Sequence, residues 1–141
     1  MNRRRFVEDA AKAAAIWAMG SGTLACVSLH YTQATASGNR LRLPARALEP
    51  QGFAVVEVPG FALPLYIERQ GDGRYTAVST RCMHRGCQVE PFAGRLVCPC
   101  HGSEYAGDGT LLAGPAMLSL KRFPVTVEGE IIVIDISGGE P

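Results

Sequence analysis

Two short knots of cysteine and histidine limit what this chain can fold into. The first is "CMHRGC", residues 82–87, and the second is "CPCHGSEY", residues 98–105. Together they hold four of the five cysteines and two of the three histidines. An apolar core has no use for that mixture. A metal centre does, because thiolate sulfur and imidazole nitrogen are the donors that zinc and iron–sulfur centres take. Whatever fold the chain adopts must bring these two loops together.

The rest of the chain supplies a modest frame. Its 141 residues suit one domain. A formal net charge of +1 gives no general case for a nucleic-acid partner. The start reads as a targeting and anchoring segment. "NRRRFV" places Arg3, Arg4 and Phe6 in the order of a twin-arginine export signal. The apolar run "AAAIWAMGSGTLACVSL", residues 13–29, is just long enough to cross a bilayer as a helix. Arg3, Arg4, Arg5 and Lys12 flank it on the N-terminal side, which puts Met1 in the cytoplasm and the chain beyond His30 outside. "ATA", Ala34–Ala36, offers a cleavage site, and "TLA" before Cys26 is an imperfect lipoprotein signal. We read residues 1–29 as a retained anchor, with Cys26 a small apolar residue inside it.

Residues 30–40, "HYTQATASGNR", are small and polar and read as a hinge linker. From Leu41 to Pro141 the signals are those of strands. "FAVVEV" (53–58), "LPLYIER" (63–69) and "RYTAVST" (74–80) are short β-branched or aromatic runs punctuated by Gly60, Gly71 and Gly73. "RFPVTVEGEIIVID" predicts a hairpin, with Phe123, Val125 and Val127 on one face, a turn near Glu128–Gly129, and Pro124 marking an edge. No convincing helical period follows residue 40. The expected fold is a small antiparallel β domain with the two knots inserted between strands.

Read as donors alone, the knots leave alternatives open. A zinc site of Cys82, His84, Cys98 and His101 leaves Cys87 and Cys100 without a role. A scaffold of two disulfides leaves both histidines without one.

The two knots closely resemble the cluster-binding loops of Rieske iron–sulfur proteins, and the surrounding β domain is similar in general character. The resemblance implies a mainly β, Rieske-type antiparallel sandwich over residues 41–141, preceded here by one N-terminal transmembrane helix. It implies one [2Fe-2S] cluster, with Cys82 and Cys98 on one iron and His84 and His101 on the other, and a disulfide between Cys87 and Cys100. Neutral imidazoles in place of two thiolates make such a cluster less negative, so it accepts an electron more readily and its potential rises. Its histidines can carry a proton that responds to the redox state. High-potential members have the disulfide and, after the second histidine, a serine and a tyrosine. Ser103 and Tyr105 stand there, implying hydrogen bonds to a bridging sulfide and to the sulfur of Cys82. "AGPAM", residues 113–117, resembles the loop that covers the cluster from a third side, with Met117 where a second proline is common. Arg85 departs from the leucine of many quinol-oxidising members.

The function implied is electron transfer by a membrane-anchored subunit of the cytochrome bc type. It would take an electron and a proton from quinol bound at a cytochrome b-type subunit, then pass the electron to a c-type cytochrome. The location implied is the outer, periplasmic side of a bacterial inner membrane. The alternative is the small subunit of an arsenite-oxidase-like molybdenum enzyme. A ring-hydroxylating oxygenase needs a second iron site, for which only His30 is spare.

Overall fold

The computed structural model describes residues 31–141. The anchor expected over residues 1–29 lies outside the described residues. Among the described residues no helix is long and apolar enough to cross a membrane.

The chain runs through thirteen short strands: β1 (Tyr31–Gln33), β2 (Thr35–Ser37), β3 (Arg40–Pro44), β4 (Phe53–Glu57), β5 (Leu65–Arg69), β6 (Tyr75–Ser79), β7 (Glu90–Phe92), β8 (Arg95–Val97), β9 (Glu104–Tyr105), β10 (Leu111–Ala113), β11 (Arg122–Phe123), β12 (Val125–Glu128) and β13 (Ile131–Asp135). One 3-10 turn, Ala45–Leu48, follows β3. Three sheets result, ordered β1-β4-β5-β6-β11, β12-β13-β3-β2 and β10-β9-β8-β7. All pairings are antiparallel except β1 on β4.

Strands β4, β5 and β6 form a wall shared by two cores. Successive side chains on a strand point to opposite faces. One row, Ala54–Ile67–Ala77, packs with Leu41, Leu43, Ile132, Ile134 and Phe123 in the main sandwich core. The neighbouring row, Val55–Tyr66–Val78, faces the small third sheet and packs with Val89, Leu96, Tyr105 and Leu120. Burial on both faces explains why "FAVVEV" reads as a continuous apolar run rather than an alternation. The wall thereby sets the loop-bearing sheet on a rigid support.

Two sequence expectations change. Residues 31–37, expected within a free hinge, are paired: β1 adds to β4 and β2 to β3. Their side chains are mostly exposed, so unfilled sheet edges rather than burial hold them. The C-terminal hairpin forms as β12 and β13, with its turn at the left-handed Gly129 and β12 at a sheet edge. The segment before it divides at Pro124, however. Phe123 belongs to β11 in the other sheet, and Val127 is exposed instead of sharing its face.

Candidate metal centre

Loop 1, residues 80–89, leaves β6 and enters β7. Loop 2, residues 98–103, joins β8 to β9. The two are built alike. In loop 1 the Gly86 amide donates to the Cys82 carbonyl at 2.9 Å and the Cys82 amide to the Cys87 carbonyl at 2.8 Å. In loop 2 the Gly102 amide donates to the Cys98 carbonyl at 2.9 Å and the Cys98 amide to the Ser103 carbonyl at 2.8 Å. Each turn closes on a glycine at φ +79°, a conformation that glycine adopts without a Cβ penalty. The mirror of spacing, Cys–x–His–x–Gly against Cys–x–x–His–Gly, is therefore one backbone turn used twice.

The turns place the sequence-predicted residues together. Cys82 and Cys98 are free and buried in the same core cluster. His84 and His101 meet edge to face, with ring centroids 4.8 Å apart. Cys87 and Cys100 are joined in a disulfide that ties loop 1 to loop 2. The sulfurs of Cys87, Cys98 and Cys100 crowd within 4.8 Å, but two of the three are spent on that bond, so this trio is not a donor set.

Ser103 and Tyr105 are each 0% exposed, and each hydroxyl is pinned by one backbone amide. The Met83 N–H donates to Tyr105 Oη at 3.2 Å, and the Ala116 N–H donates to Ser103 Oγ at 3.0 Å. A hydroxyl has a single proton. With the oxygen already accepting an N–H, that proton is left to point inward. For Tyr105 the recipient is at hand, since Cys82 Sγ lies 3.4 Å from Oη. Once Cys82 is a thiolate it can only accept.

The electrostatics agree with this direction. Burial pushes the Cys82 thiol up, but bonds from the Tyr105 hydroxyl and the His84 amide, aided by Cys98 and Ser103, outweigh it and hold Cys82 below the ordinary thiol value. Burial raises Cys98, and its neighbour Cys82 adds to the rise. Burial, then the bond to Cys82, pushes Tyr105 up to about 12, so its proton stays in place at neutral pH.

The residues fit an iron–sulfur group. His84 Nδ1 is buried without any hydrogen-bond partner. A buried imidazole nitrogen that the protein itself does not satisfy, on the same loop as the buried Cys82 thiol, fits the role of a metal ligand. Nothing else among the described residues occupies that role.

Sequence reasoning missed two groups: the amides of Met83 and Ala116. Backbone donors carry no residue-type signal. Within the third loop, residues 113–117, the side chains divide. Met117 is 88% exposed, while its neighbour Ala116 is the residue that packs down. Cys26 and His30 lie outside the described residues.

The sequence model of the family described as "Rieske [2Fe-2S] domain" matches residues 42–124. A cytochrome b6-f complex iron-sulfur subunit from Chlorobaculum tepidum is 43% identical over 67 residues, which are 46% of this chain and 37% of that protein. One from Chlorobaculum thiosulfatiphilum is 41% identical over 64 residues, 44% of this chain and 35% of that protein. The chain thus matches little more than a third of the length of these relatives. Among solved structures, the plasma-membrane Rieske protein PetC3 from Synechocystis PCC 6803 superposes with a TM-score of 0.58 at 34% identity, over 65% of this chain and 94% of that one. A naphthalene 1,2-dioxygenase variant superposes at 0.60 with 26% identity, over 73% of this chain and 27% of that one.

Proposed function

This chain belongs to the Rieske [2Fe-2S] domain family, and from that premise we propose that it is a high-potential electron-transfer subunit of a membrane quinol-oxidising complex of the cytochrome bc or b6-f type. The family's cofactor is one [2Fe-2S] cluster, which supplies a reversible one-electron couple when bound. In this reading Cys82 and Cys98 hold one iron, and His84 and His101 the other. The observation that carries it is the pair of pinned hydroxyls. Tyr105 Oη, fixed by the Met83 amide, lies 3.4 Å from Cys82 Sγ, and Ser103 Oγ is buried and fixed by the Ala116 amide; we assign both hydroxyl protons to sulfur of the bound cluster, bonds that would stabilise the more negative, reduced state. The disulfide ties loop 1 to loop 2 beside the buried Cys82 and Cys98.

The two histidines take different parts. His101 is exposed and His84 half-buried. We assign to His101 the hydrogen bond from quinol and the holding of its proton, and to His84 an internal place. The quinol would sit in a cytochrome b-type subunit, and a c-type cytochrome would receive the electron. The anchor would be residues 1–29 in a bacterial inner membrane, with the domain on the periplasmic side. The b6-f relatives and the plasma-membrane protein support this placement.

The domain division needs one adjustment. Because residues 31–37 are clamped to both sheets, a pivot would sit before Tyr31 or require β1 and β2 to peel away. The same clamp favours a second reading, in which the domain stays fixed on a molybdenum-enzyme partner of the arsenite-oxidase type. Copurification from native membranes decides between them: a b-haem subunit supports the first, a molybdopterin subunit the second. The shared premise is tested by metal analysis. The purified chain should hold two irons and two acid-labile sulfides, the count that defines a [2Fe-2S] cluster. Stoichiometric zinc without sulfide would remove the reading.

A further inference from the structure

Residues 136–140 leave β13 and cross from its sheet to the one that holds β4, β5, β6 and β11. Their sequence, "ISGGE", offers little apolar surface to bury. Hydrogen bonds hold them instead. The Glu140 carboxylate accepts from the Ala62 amide at 2.7 Å and from the Leu63 amide at 3.1 Å. The Lys121 ammonium donates to the carbonyls of Gly138 and Gly139, each at 2.7 Å. The segment is itself folded: the Gly139 amide, on a residue at φ +67°, donates to the Ile136 carbonyl, and the Ser137 amide to Asp135 Oδ1. Two charged side chains are thus spent on main-chain groups, and bonds with one ionised partner are the strong ones.

Both gripped segments also carry the root of loop 1. Pro64, the residue after Leu63, gives its carbonyl to Thr80 twice, to Oγ1 at 2.7 Å and to the amide at 3.3 Å. Lys121 gives its carbonyl to the Ser79 amide at 2.8 Å. Ser79 and Thr80 are buried, so these bonds have no water to replace them. From there the hold passes outward. Ser79 Oγ accepts the Arg81 amide at 3.1 Å, and the Thr80 carbonyl accepts the Val89 amide at 2.8 Å, which closes loop 1 at its base. Loop 2 springs from β8 and β9 in the third sheet, and none of these bonds reaches it.

We propose that residues 136–140 are a strap that positions loop 1, with Glu140 and Lys121 as the positioning residues that fix the two carbonyls from which Cys82 and His84 are hung. This rests on the reading of Cys82 and His84 as cluster ligands. Proline holds its own φ, so a clamped Leu63 leaves the Pro64 carbonyl little freedom. Local opening of a loop has a free energy of its own, smaller than that of global unfolding. The strap raises that local free energy for loop 1 and leaves loop 2 to its own sheet.

The test uses the full-length chain in detergent, loaded with cluster as shown by iron, sulfide and visible absorbance. Hydrogen exchange, quenched with reductant to open the disulfide and read by mass spectrometry, compares peptides covering residues 80–89 with peptides covering residues 98–105. Glu140→Ala should speed exchange over residues 80–89 about tenfold and leave residues 98–105 within about twofold. Glu140→Gln, which keeps one acceptor oxygen, should fall between. Lys121→Met should act in the same direction as Glu140→Ala. With a chelator present, Glu140→Ala should also release iron faster than the unaltered chain, as followed by the loss of visible absorbance. Unchanged exchange over residues 80–89 in both Glu140→Ala and Lys121→Met overturns the proposal. Equal acceleration of the two loops overturns it as well, since that is a loss of overall stability and not of position. So does unchanged iron release alongside a faster loop 1, because the strap would then not bear on the ligands. A preparation without iron and sulfide defeats the cluster reading itself and is recognised before exchange begins.

Discussion

Loop 1 sets its histidine two residues after Cys82 and half-buries it; loop 2 sets its histidine three residues after Cys98 and leaves it exposed. The same contrast runs through the disulfide, with Cys87 half-buried and Cys100 exposed. Yet the backbone turns match bond for bond, down to the φ of the closing glycine. One turn, shifted by a single residue in its histidine, thus yields an inward donor in one loop and an outward one in the other. Loop 1 also carries Arg81 and Arg85, whereas the second half of loop 2 runs straight into the buried Ser103 and Tyr105. In the proposed reading the loops share the holding of the cluster, and the end of loop 2, with Ser103 and Tyr105, would set the potential.

The largest effects should erase the contrast. His84→Ala and His101→Ala should each abolish the cluster, despite their different exposure, because each removes one of four ligands; iron and sulfide content reads this directly. Retention of a full cluster in either variant would break the equivalence of the loops. Next come Cys87→Ser and Cys100→Ser. The bridged residues are 13 apart in sequence, and a loop of that size is worth about 3 kcal/mol in the chain-entropy account. Unfolding midpoints should fall accordingly in both, with cluster loss on storage. Equal stability with and without the bridge would mean that the turns hold the loops by themselves.

Ser103→Ala and Tyr105→Phe should sharpen the division of labour. Both should assemble, and both should lower the midpoint potential by several tens of millivolts, on a scale where about 59 mV is tenfold for one electron. Each also strands a backbone N–H, that of Ala116 or Met83, at a cost in stability of about 1–3 kcal/mol if it stays buried. The smallest effect lies between two glycines. Gly86→Ala and Gly102→Ala each force an L-residue into the left-handed region, at about 1–2 kcal/mol. An added Cβ at Gly86 also meets Arg81, whereas at Gly102 nothing lies within 4 Å. Denaturant midpoints should therefore fall slightly further for Gly86→Ala. The reverse order would show that Arg81 gives way freely.

What the sequence disclosed follows from what residue types can signal. The donor knots were legible because cysteine and histidine are scarce here and were concentrated at fixed spacings. Strands β4, β5 and β6 were legible because burial on both faces leaves dense apolar runs. The pairing of residues 31–37 was not, since it rests on backbone bonds to open sheet edges and needs no apolar side chain. The amides of Met83 and Ala116 were hidden for the same reason. In "AGPAM" the packed residue proved to be a small one, Ala116, whose burial carries no pattern of its own.

The midpoint potential of the purified full-length chain tests the central claim most directly, followed by EPR of the reduced cluster during a redox titration. Histidine-ligated [2Fe-2S] centres span roughly −150 to +300 mV. On the proposal that the two buried hydroxyls donate to sulfur, the potential should lie above about +100 mV, in the upper part of that span. A value near or below zero would contradict the claim that Ser103 and Tyr105 give their protons to the cluster.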